Sequence, residues 1–241
     1  MTTTYFRCFA HRGASGYAPE NTLLAFQQAI DLGATWIECD VHRVENEIVV
    51  IHDRELSRTT SGKGKVDQQT LTLINGLDAG RGEKIPTLDE TLALIKGKAR
   101  INIELKGKAT AIPTLNRLNE AVATSNWQWQ DFLISSFDHR LLSETRAHCQ
   151  AVPIGVLYPS TSVQYLEAAT TLTASSLHLS QSQCTQSLLT QAHQAGFKVF
   201  VYTVNDPNQA MSLQANGVDG VFSDYPDRIL TAMADLALIS D

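Results

Sequence analysis

The fold is decided by residues 35–53, which read TWIECDVHRVENEIVVIHD. Thr35–Val41 and Ile48–Ile51 both have the β-branched, apolar character of strands. Parallel strands need about a dozen connecting residues, and the chain between these two runs is too short for a crossover helix. The two strands are therefore predicted to form an antiparallel hairpin that turns at Glu45-Asn46.

Runs of strand character continue along the whole chain and alternate with helix patterns. The eight predicted barrel strands are Tyr5–Ala10, Thr35–Val41, Arg100–Leu105, Phe132–Ser135, Val152–Leu157, Ser175–Leu179, Lys198–Thr203 and Val218–Phe222. Eight strand–helix units in 241 residues predict an α/β fold, a (β/α)8 TIM barrel, in a single domain spanning residues 1–241. A doubly wound open sheet is the alternative, although no glycine-rich phosphate loop of standard spacing is present.

Local signals mark the ends of several helices between these strands. Thr87 with Glu90 has the spacing of a capping box, and Asp206-Pro207 is typical of a helix start. Gly97 and Gly217 are predicted to follow helix ends.

One segment breaks the alternation. Arg54–Ile85 follows the hairpin and contains five glycines. We expect it to be a small insertion, or lid, over the active-site end of the barrel rather than an independent domain.

Composition and charge exclude several classes of protein. The chain is 43% hydrophobic and carries a net charge of −6, so it is expected to fold around a core and not to bind nucleic acid. No run approaches the ~20 apolar residues of a spanning helix, and no signal peptide is recognisable, so a cytoplasmic protein without a stable membrane anchor is expected. Four scattered cysteines are expected to be reduced core residues: Cys8, Cys39, Cys149 and Cys184. The oligomeric state is not predicted.

Carboxylates lie at the ends of two neighbouring predicted strands. Glu38 and Asp40 share one face of their strand, with Cys39 on the other, and Glu104 with Lys106 repeats the pattern. Buried carboxylates need a cation to remain ionised, and an all-oxygen set suits Mg2+ or Ca2+. Simple pairing of Glu104 with Lys106, or exposure of Glu38, is the competing interpretation; together the three carboxylates favour one divalent metal site.

Two histidines and an arginine are predicted beside these carboxylates. The hairpin register brings His52 close to Glu38 and Asp40, and His11-Arg12 ends the first strand. A cation with Arg12 would neutralise phosphate oxygens, while one imidazole accepts a proton and the other donates one. His178, Tyr202 and Phe222 end later strands and are expected to face the substrate, although core packing is a close alternative for Phe222. The other four histidines are interpreted as structural: His42, His139, His148 and His193.

A family resemblance covers residues 6 to about 228. The chain resembles the glycerophosphodiester phosphodiesterases, and especially their short cytosolic bacterial members. The motifs that carry the resemblance follow in the family's order: His11-Arg12-Gly13, Pro19-Glu20-Asn21-Thr22, Glu38-Cys39-Asp40, His52-Asp53, Glu104-Leu105-Lys106, Tyr202-Thr203-Val204-Asn205 and Gly217-Val218-Asp219-Gly220. Glu45-Asn46-Glu47 departs from the more usual Asp-Gly turn, and Ser223 from a frequent threonine.

The resemblance implies metal-dependent cleavage of glycerophosphodiesters to sn-glycerol 3-phosphate and an alcohol. It implies a metal on Glu38, Asp40 and Glu104 and an acid–base pair of His11 and His52. It further implies a phosphate held by Arg12 and Lys106, with Glu20 orienting Arg12 or His11, and Asp53 supporting the site from behind. The partner is then a small-molecule glycerophosphodiester.

Two other functions remain open on the sequence. A non-catalytic relative would bind glycerophosphodiesters without cleaving them, but both histidines and all three carboxylates are present. A metal-dependent barrel lyase acting on a sugar phosphate would need a Schiff-base lysine or a phosphate loop near strands seven and eight. Gly217–Gly220 is a candidate for the loop, whereas Lys106 is explained by the phosphodiesterase interpretation.

Overall fold

The computed structural model describes residues 6–158 and 165–239 and contains a closed barrel of eight parallel strands. Each strand pairs with its neighbour in chain order, and the first strand also pairs with the last, which closes the ring. The described residues form nine strands, and all but β3 belong to the ring: β1 (Arg7–Ala10), β2 (Trp36–Val44), β3 (Glu47–Val50), β4 (Arg100–Leu105), β5 (Phe132–Ser136), β6 (Ile154–Leu157), β7 (Ser176–Ser180), β8 (Lys198–Tyr202) and β9 (Gly220–Ser223). The TIM-barrel prediction is confirmed, and the open doubly wound alternative is wrong.

Helices connect the strands around the outside of the barrel. They are α1 (Leu23–Asp31), α2 (Leu71–Gly76), α3 (Leu88–Ile95), α4 (Ala111–Thr124), α5 (His139–His148), α6 (Tyr165–Thr171), α7 (Gln186–Gln194), α8 (Pro207–Ala215) and α9 (Pro226–Ile239). The predicted capping box of Thr87 with Glu90 begins α3, and Asp206 caps α8 with Pro207 in its first turn. Among the described helices none is long and apolar enough to cross a membrane.

The strand β3 lies outside the ring and pairs antiparallel with β2. The register places Val41 opposite Val50 and Val44 opposite Glu47, so Glu45 and Asn46 form the turn as predicted. A backbone hydrogen bond from Ile51 to Asp40 (2.9 Å) continues the pairing beyond β3. Continuing this register by one residue puts His52 at the level of Cys39, next to Asp40.

Residues 54–85 pack on this hairpin and share a small apolar cluster with it. The segment contains two 3₁₀ turns, Leu56–Arg58 and Val66–Gln68, before α2. The cluster is separate from the main core and consists of Val44, Val49, Ile51, Leu56, Val66, Ile74, Ala79 and Ile85. The segment thus extends the hairpin.

The two faces of the barrel strands carry different side chains. Residues such as Ile37, Cys39 and Val41 point outward into the large core beneath the helices. The inner face carries an aromatic cluster that fills the barrel, made of Phe9, Trp36, Leu133, Phe200 and Phe222. Glu38, Asn102 and Glu104 alternate with the outward residues and therefore face the interior.

Some sequence expectations need adjustment. The strand β6 begins at Ile154, whereas the prediction began it at 152. The strand β9 begins at Gly220, whereas the prediction began it at 218. Tyr5 lies outside the described residues. Cys8 and Cys39 are buried as expected, but Cys149 and Cys184 are only half-buried.

Candidate active site

A cavity of about 190 Å3 opens at the carboxyl ends of the barrel strands. The parallel sheet brings the last residues of all strands to this end, so side chains that are distant in sequence meet there. The lining residues are His11, Arg12, Glu38, His52, Asn102, Glu104, Lys106, Ser135, Phe137, Leu157, His178, Tyr202, Thr203 and Phe222.

Three buried carboxylates form the polar centre of this cavity. One oxygen from each of Glu38, Asp40 and Glu104 lies within 4.8 Å of the others. The strand register explains the meeting, because Asp40 on β2 pairs directly with Glu104 on β4. Asp40 and Glu104 are therefore only one strand spacing apart in the sheet, although more than sixty positions separate them in the sequence.

Two cations face this cluster. The Lys106 Nζ lies 2.5 Å from Glu104 Oε1 and 3.2 Å from Asp40 Oδ1, and the Arg12 Nε lies 3.3 Å from Asp40 Oδ2. Although burial opposes ionisation, the positive charges of Lys106 and Arg12 hold the pKa of Asp40 well below its usual range. Asp40 is thus ionised at neutral pH.

The two cations do not fully offset the burial of Glu38 and Glu104, and the pKa values of both carboxyls are raised. Burial, with the neighbouring charge of Asp40, raises the pKa of Glu38 well above its usual value, and burial raises the pKa of Glu104 to about 7. Among the ion pairs of the described residues none includes Glu38, whose Oε2 accepts only the backbone N–H of Arg12 (2.8 Å). Three convergent oxygen donors with one charge unmatched fit a hard divalent cation such as Mg2+ or Ca2+.

The loop after β1 is folded tightly against these carboxylates. Gly13 has φ of +81°, and a Cβ there would lie 2.6 Å from the carbonyl carbon of Ala25, so a larger residue is excluded. Arg12 itself has φ of 57°, which aims its backbone N–H at Glu38. The guanidinium is then held by Glu20, whose Oε1 accepts from Nη1 at 2.8 Å.

Two of the cavity histidines, His11 and His52, are each paired with a carboxylate through Nδ1. The His11 Nδ1 lies 2.7 Å from Asp224 Oδ1, and the His52 Nδ1 lies 2.5 Å from Asp53 Oδ1. Because a carboxylate accepts, Nδ1 carries the proton in both rings, and Nε2 is the nitrogen left for chemistry. Burial lowers the pKa of His52, so that ring is mostly neutral near pH 7.

His178 lies on the floor of the cavity. Its Nε2 lies 3.0 Å from Ser176 Oγ, and burial lowers its pKa to about 3, so it lines the cavity as a neutral ring. The ring occupies space that Gly155 leaves open, since a Cβ on Gly155 would lie 2.4 Å from His178 Nε2. Tyr202 and Phe222 also line the cavity, and Tyr202 contacts Phe137 edge to face.

Three functional candidates were missed by sequence reasoning. Asn21 donates to Asp40 Oδ2 (2.9 Å) and accepts from the Asp40 backbone N–H (3.2 Å). Asn205 donates to Asp224 Oδ2 (2.8 Å), which in turn holds His11. Asn21 and Asn205 both lie in motifs already singled out. Asp224 directly follows the last strand, and the rule that residues at the carboxyl ends of barrel strands form the site would have identified it.

The residues predicted for the site all line the cavity except three: Asp40, which completes the carboxylate cluster with Glu38 and Glu104, and two that stand behind the cavity. Glu20 and Asp53 do not line the cavity but contact Arg12 and His52, which do. Gly217–Gly220, the candidate phosphate loop of a barrel lyase, lies before β9 at the amino end of the barrel. The loop is therefore at the end of the barrel opposite the cavity and cannot hold a phosphate there, which removes the anion site that the lyase alternative needs. None of residues 54–85 lines the cavity.

Comparison with known proteins agrees with this geometry. The model of the Glycerophosphoryl diester phosphodiesterase family matches residues 11–228. A glycerophosphodiester phosphodiesterase of Caldanaerobacter subterraneus subsp. tengcongensis is 36% identical, over 92% of this chain and 95% of the relative. One of Bacillus altitudinis is 32% identical, over 92% of this chain and 96% of the relative.

A solved structure gives the same answer for the fold. The phosphodiesterase of Oleispira antarctica, solved in complex with the product sn-glycerol-3-phosphate, superimposes with a TM-score of 0.87 at 34% identity. The match covers 95% of this chain and 96% of that one. The chain therefore belongs to the glycerophosphoryl diester phosphodiesterase family and is an enzyme of the phosphoric diester hydrolase class.

Proposed function

We propose that this enzyme hydrolyses glycerophosphodiesters to sn-glycerol 3-phosphate and an alcohol, with one divalent cation on Glu38, Asp40 and Glu104 and with His11 and His52 transferring protons. The observation that carries the proposal is the pair of carboxylate-held imidazoles in one cavity with the three-carboxylate cluster. Neither half of this arrangement alone would distinguish hydrolysis from binding.

The phosphate has a place between the cations. Arg12 and Lys106 both line the cavity and already contact the carboxylates, so an incoming phosphodiester meets fixed positive charge. A bound Mg2+ or Ca2+ would neutralise phosphate oxygens and lower the pKa of a hydroxyl beside it.

The reaction needs one proton acceptor and one proton donor. In the first step, the glycerol hydroxyl next to the ester attacks phosphorus, and one imidazole takes its proton while the other protonates the departing alcohol. The bond from phosphorus to the alcohol breaks as the bond to the glycerol oxygen forms. Water then opens the cyclic phosphate with the two imidazoles in exchanged roles. In both steps, Asp224 and Asp53 keep Nδ1 protonated, so proton transfer takes place at Nε2.

The apolar part of the cavity would face the glycerol backbone or the alcohol. Leu157, Phe137 and Tyr202 lie at or after the ends of β6, β5 and β8. None of these strands neighbours β2, beside which His52 lies. A cavity of about 190 Å3 has room for a small polar headgroup. A small glycerophosphodiester, met in the cytoplasm, is the expected partner.

Release of sn-glycerol 3-phosphate from glycerophosphocholine tests the proposal directly. We expect release in the presence of Mg2+ or Ca2+, loss of release with a chelator, and recovery when the cation is added back. Binding of glycerophosphocholine without release under every metal condition would identify a non-catalytic relative instead.

A further inference from the structure

Arg58 lies in the segment after the hairpin and contacts both carboxylates that stand behind the cavity. Its Nη1 and Nη2 donate to the two oxygens of Glu20, each at 2.8 Å. Its Nε donates to Asp53 Oδ2 in a short hydrogen bond. A single planar guanidinium thus joins Glu20 on the β1 loop to Asp53 after the hairpin.

Each of these two carboxylates also accepts a hydrogen bond from a residue that lines the cavity. Glu20 Oε1 also accepts from Arg12 Nη1, and Asp53 Oδ1 accepts from His52 Nδ1. Two short paths therefore lead from Arg58 into the cavity, one to the guanidinium of Arg12 and one to the imidazole of His52. Arg58 itself does not line the cavity.

We propose that Arg58 is a positioning residue for the phosphodiester reaction, which fixes His52 through Asp53 and Arg12 through Glu20. The inference rests on the proposed function of His52 and Arg12. The role of the 54–85 segment is then to supply this guanidinium, in addition to any effect of the segment on substrate choice.

The geometry makes the two paths depend on Arg58. Glu20 lies between two guanidiniums, and without Arg58 its carboxylate keeps only the hydrogen bond from Arg12 to restrain its side-chain torsions. Asp53 is part-exposed, and Arg58 is the guanidinium that contacts its Oδ2, so Arg58 fixes the direction of that carboxylate. The same hydrogen bond lowers the pKa of Asp53 to about 2. A bidentate planar fork is needed for this, which a lysine ammonium does not reproduce.

The proposal is tested with Arg58→Met and Arg58→Lys, assayed for kcat and KM on glycerophosphocholine. Supporting hydrogen-bond partners of this kind are worth about 10–100-fold, so we expect kcat/KM of Arg58→Met to fall by about that factor. Arg58→Lys should recover part of the loss, because it restores the charge but not the fork.

The two paths separate in double variants. In an Asp53→Asn background the remaining effect of Arg58→Met should be mainly on KM, because Arg12 contacts phosphate before and during the reaction. In a Glu20→Gln background it should be mainly on kcat, because His52 acts only in proton transfer. A loss that is the same in every background, without this division, contradicts the proposal.

Arg117 is the matched control. It also bridges two carboxylates, with Nη2 2.5 Å from Glu47 Oε1 and Nη1 3.4 Å from Asp89 Oδ2, but on the outside of the barrel. Arg117→Met should keep wild-type kcat and KM while its thermal stability changes as much as that of Arg58→Met. Equal losses of activity in the two variants would assign Arg58 a purely structural role.

One readout does not depend on activity at all. The His52 Nδ1 proton, held by Asp53, should give a slowly exchanging downfield NMR signal in the wild type and in Arg117→Met. We expect this signal to be lost by exchange in Arg58→Met. If the wild type fails to release glycerol 3-phosphate but the signal behaves as expected, the proposed function is wrong and the positioning role stands; an unchanged signal in Arg58→Met overturns the positioning role.

Discussion

At the scale of single residues, the site depends on two imidazoles with similar support. His11 and His52 each contact a carboxylate through Nδ1, and each carboxylate has further donors. Asp224 accepts from Ser15 and Asn205, and Asp53 from Arg58. The rings are therefore oriented before a substrate arrives, which is a requirement for efficient proton transfer.

Replacing either histidine should separate proton transfer from metal binding. We expect His11→Ala or His52→Ala to lower turnover by about 10²–10⁴-fold while the affinity for Mg2+ stays near that of the wild type. Turnover from steady-state assays and metal affinity from calorimetry check this. Weakened metal affinity in His52→Ala, with activity restored by excess Mg2+, would instead make His52 part of the metal site.

Glu38→Ala should show the opposite behaviour. This change removes one of three converging carboxylates, so the metal should bind more weakly and added metal should restore part of the activity. A metal titration of activity, compared with the wild type, measures the shift in half-saturation. Identical half-saturation in the two proteins would place the cation elsewhere.

The sequence predicts residues on strands better than residues on loops. Glu38, Asp40 and Glu104 could be placed together because side chains alternate along strands and neighbouring strands run in register. Asp224, Asn21 and Arg58 lie on loops, where no period relates position in sequence to direction in space. Sequence reasoning therefore did not select these three residues for the site.

At the scale of elements, the hairpin is the feature that the sequence predicts most fully. Its short connection excluded a parallel strand, and the register that followed put His52 beside Cys39 and Asp40. Residues 54–85 were predicted as a lid, and this stays a prediction. The segment contacts the β1 loop through Arg58–Glu20 and through Arg81, whose Nη1 donates to the Tyr17 carbonyl (2.8 Å).

Shortening the segment around α2 while keeping Arg58 tests the lid. We expect the relative rates among glycerophosphodiesters with different alcohols to change, because a lid contacts the leaving group more than the phosphate. The assay compares kcat/KM for glycerophosphocholine, glycerophosphoethanolamine and glycerophosphoglycerol in the shortened and intact enzymes. Unchanged ratios among the three substrates would argue against a lid.

The amino ends of β8 and β9 are joined by a buried carboxylate. Asp219 contacts Lys198 Nζ and His193 Nε2, each at 2.8 Å, and accepts from the Val199 backbone N–H (2.9 Å). Burial acts to raise the pKa of Asp219, but the hydrogen bonds that it accepts, first among them the one from Lys198, lower this pKa below its usual value. The ionised carboxylate is thus the form that stabilises the folded barrel.

Asp219→Asn should destabilise the protein in a pH-dependent way. Hydrogen bonds to a charged group are worth about 1.5–3 kcal/mol, so we expect a loss of that order at pH 7. Because the folded pKa lies below the unfolded value of about 3.9, the stabilisation is present above that pH and is lost as pH falls through the folded pKa. Urea unfolding at pH 7 and pH 3 measures the difference, and an equal difference at both values would contradict the assignment.

At the scale of the whole molecule, the barrel interior changes character along its axis. Aromatic residues fill the amino-terminal part, and the carboxyl-terminal part holds three carboxylates against two cations. The negative excess opposes folding until it is matched. Metal binding and fold stability are therefore expected to be linked.

Mg2+ or Ca2+ should raise the melting temperature. A ligand at one hundred times its Kd stabilises the folded state by about 2.7 kcal/mol. For a protein of this size that corresponds to a rise of about 5–10 °C. Differential scanning calorimetry with cation and with chelator measures the shift, and Glu38→Ala is the control that should show a smaller one. A wild-type melting temperature that ignores both cations at millimolar concentration would count against the site.

The pairing of His11 with Asp224 has a consequence for biosynthesis. These residues are 213 positions apart, and they meet because the first strand of the ring lies beside the last. A nascent chain still lacking its last strand already carries His52 and all three acidic ligands, yet it has no carboxylate for His11. At about 5–20 residues per second, synthesis of the stretch between the two residues takes on the order of 10–40 seconds. In a refolding experiment, recovery of turnover therefore reports when the first and last strands of the ring pair, and we expect it to lag behind the signals of helix and hairpin formation.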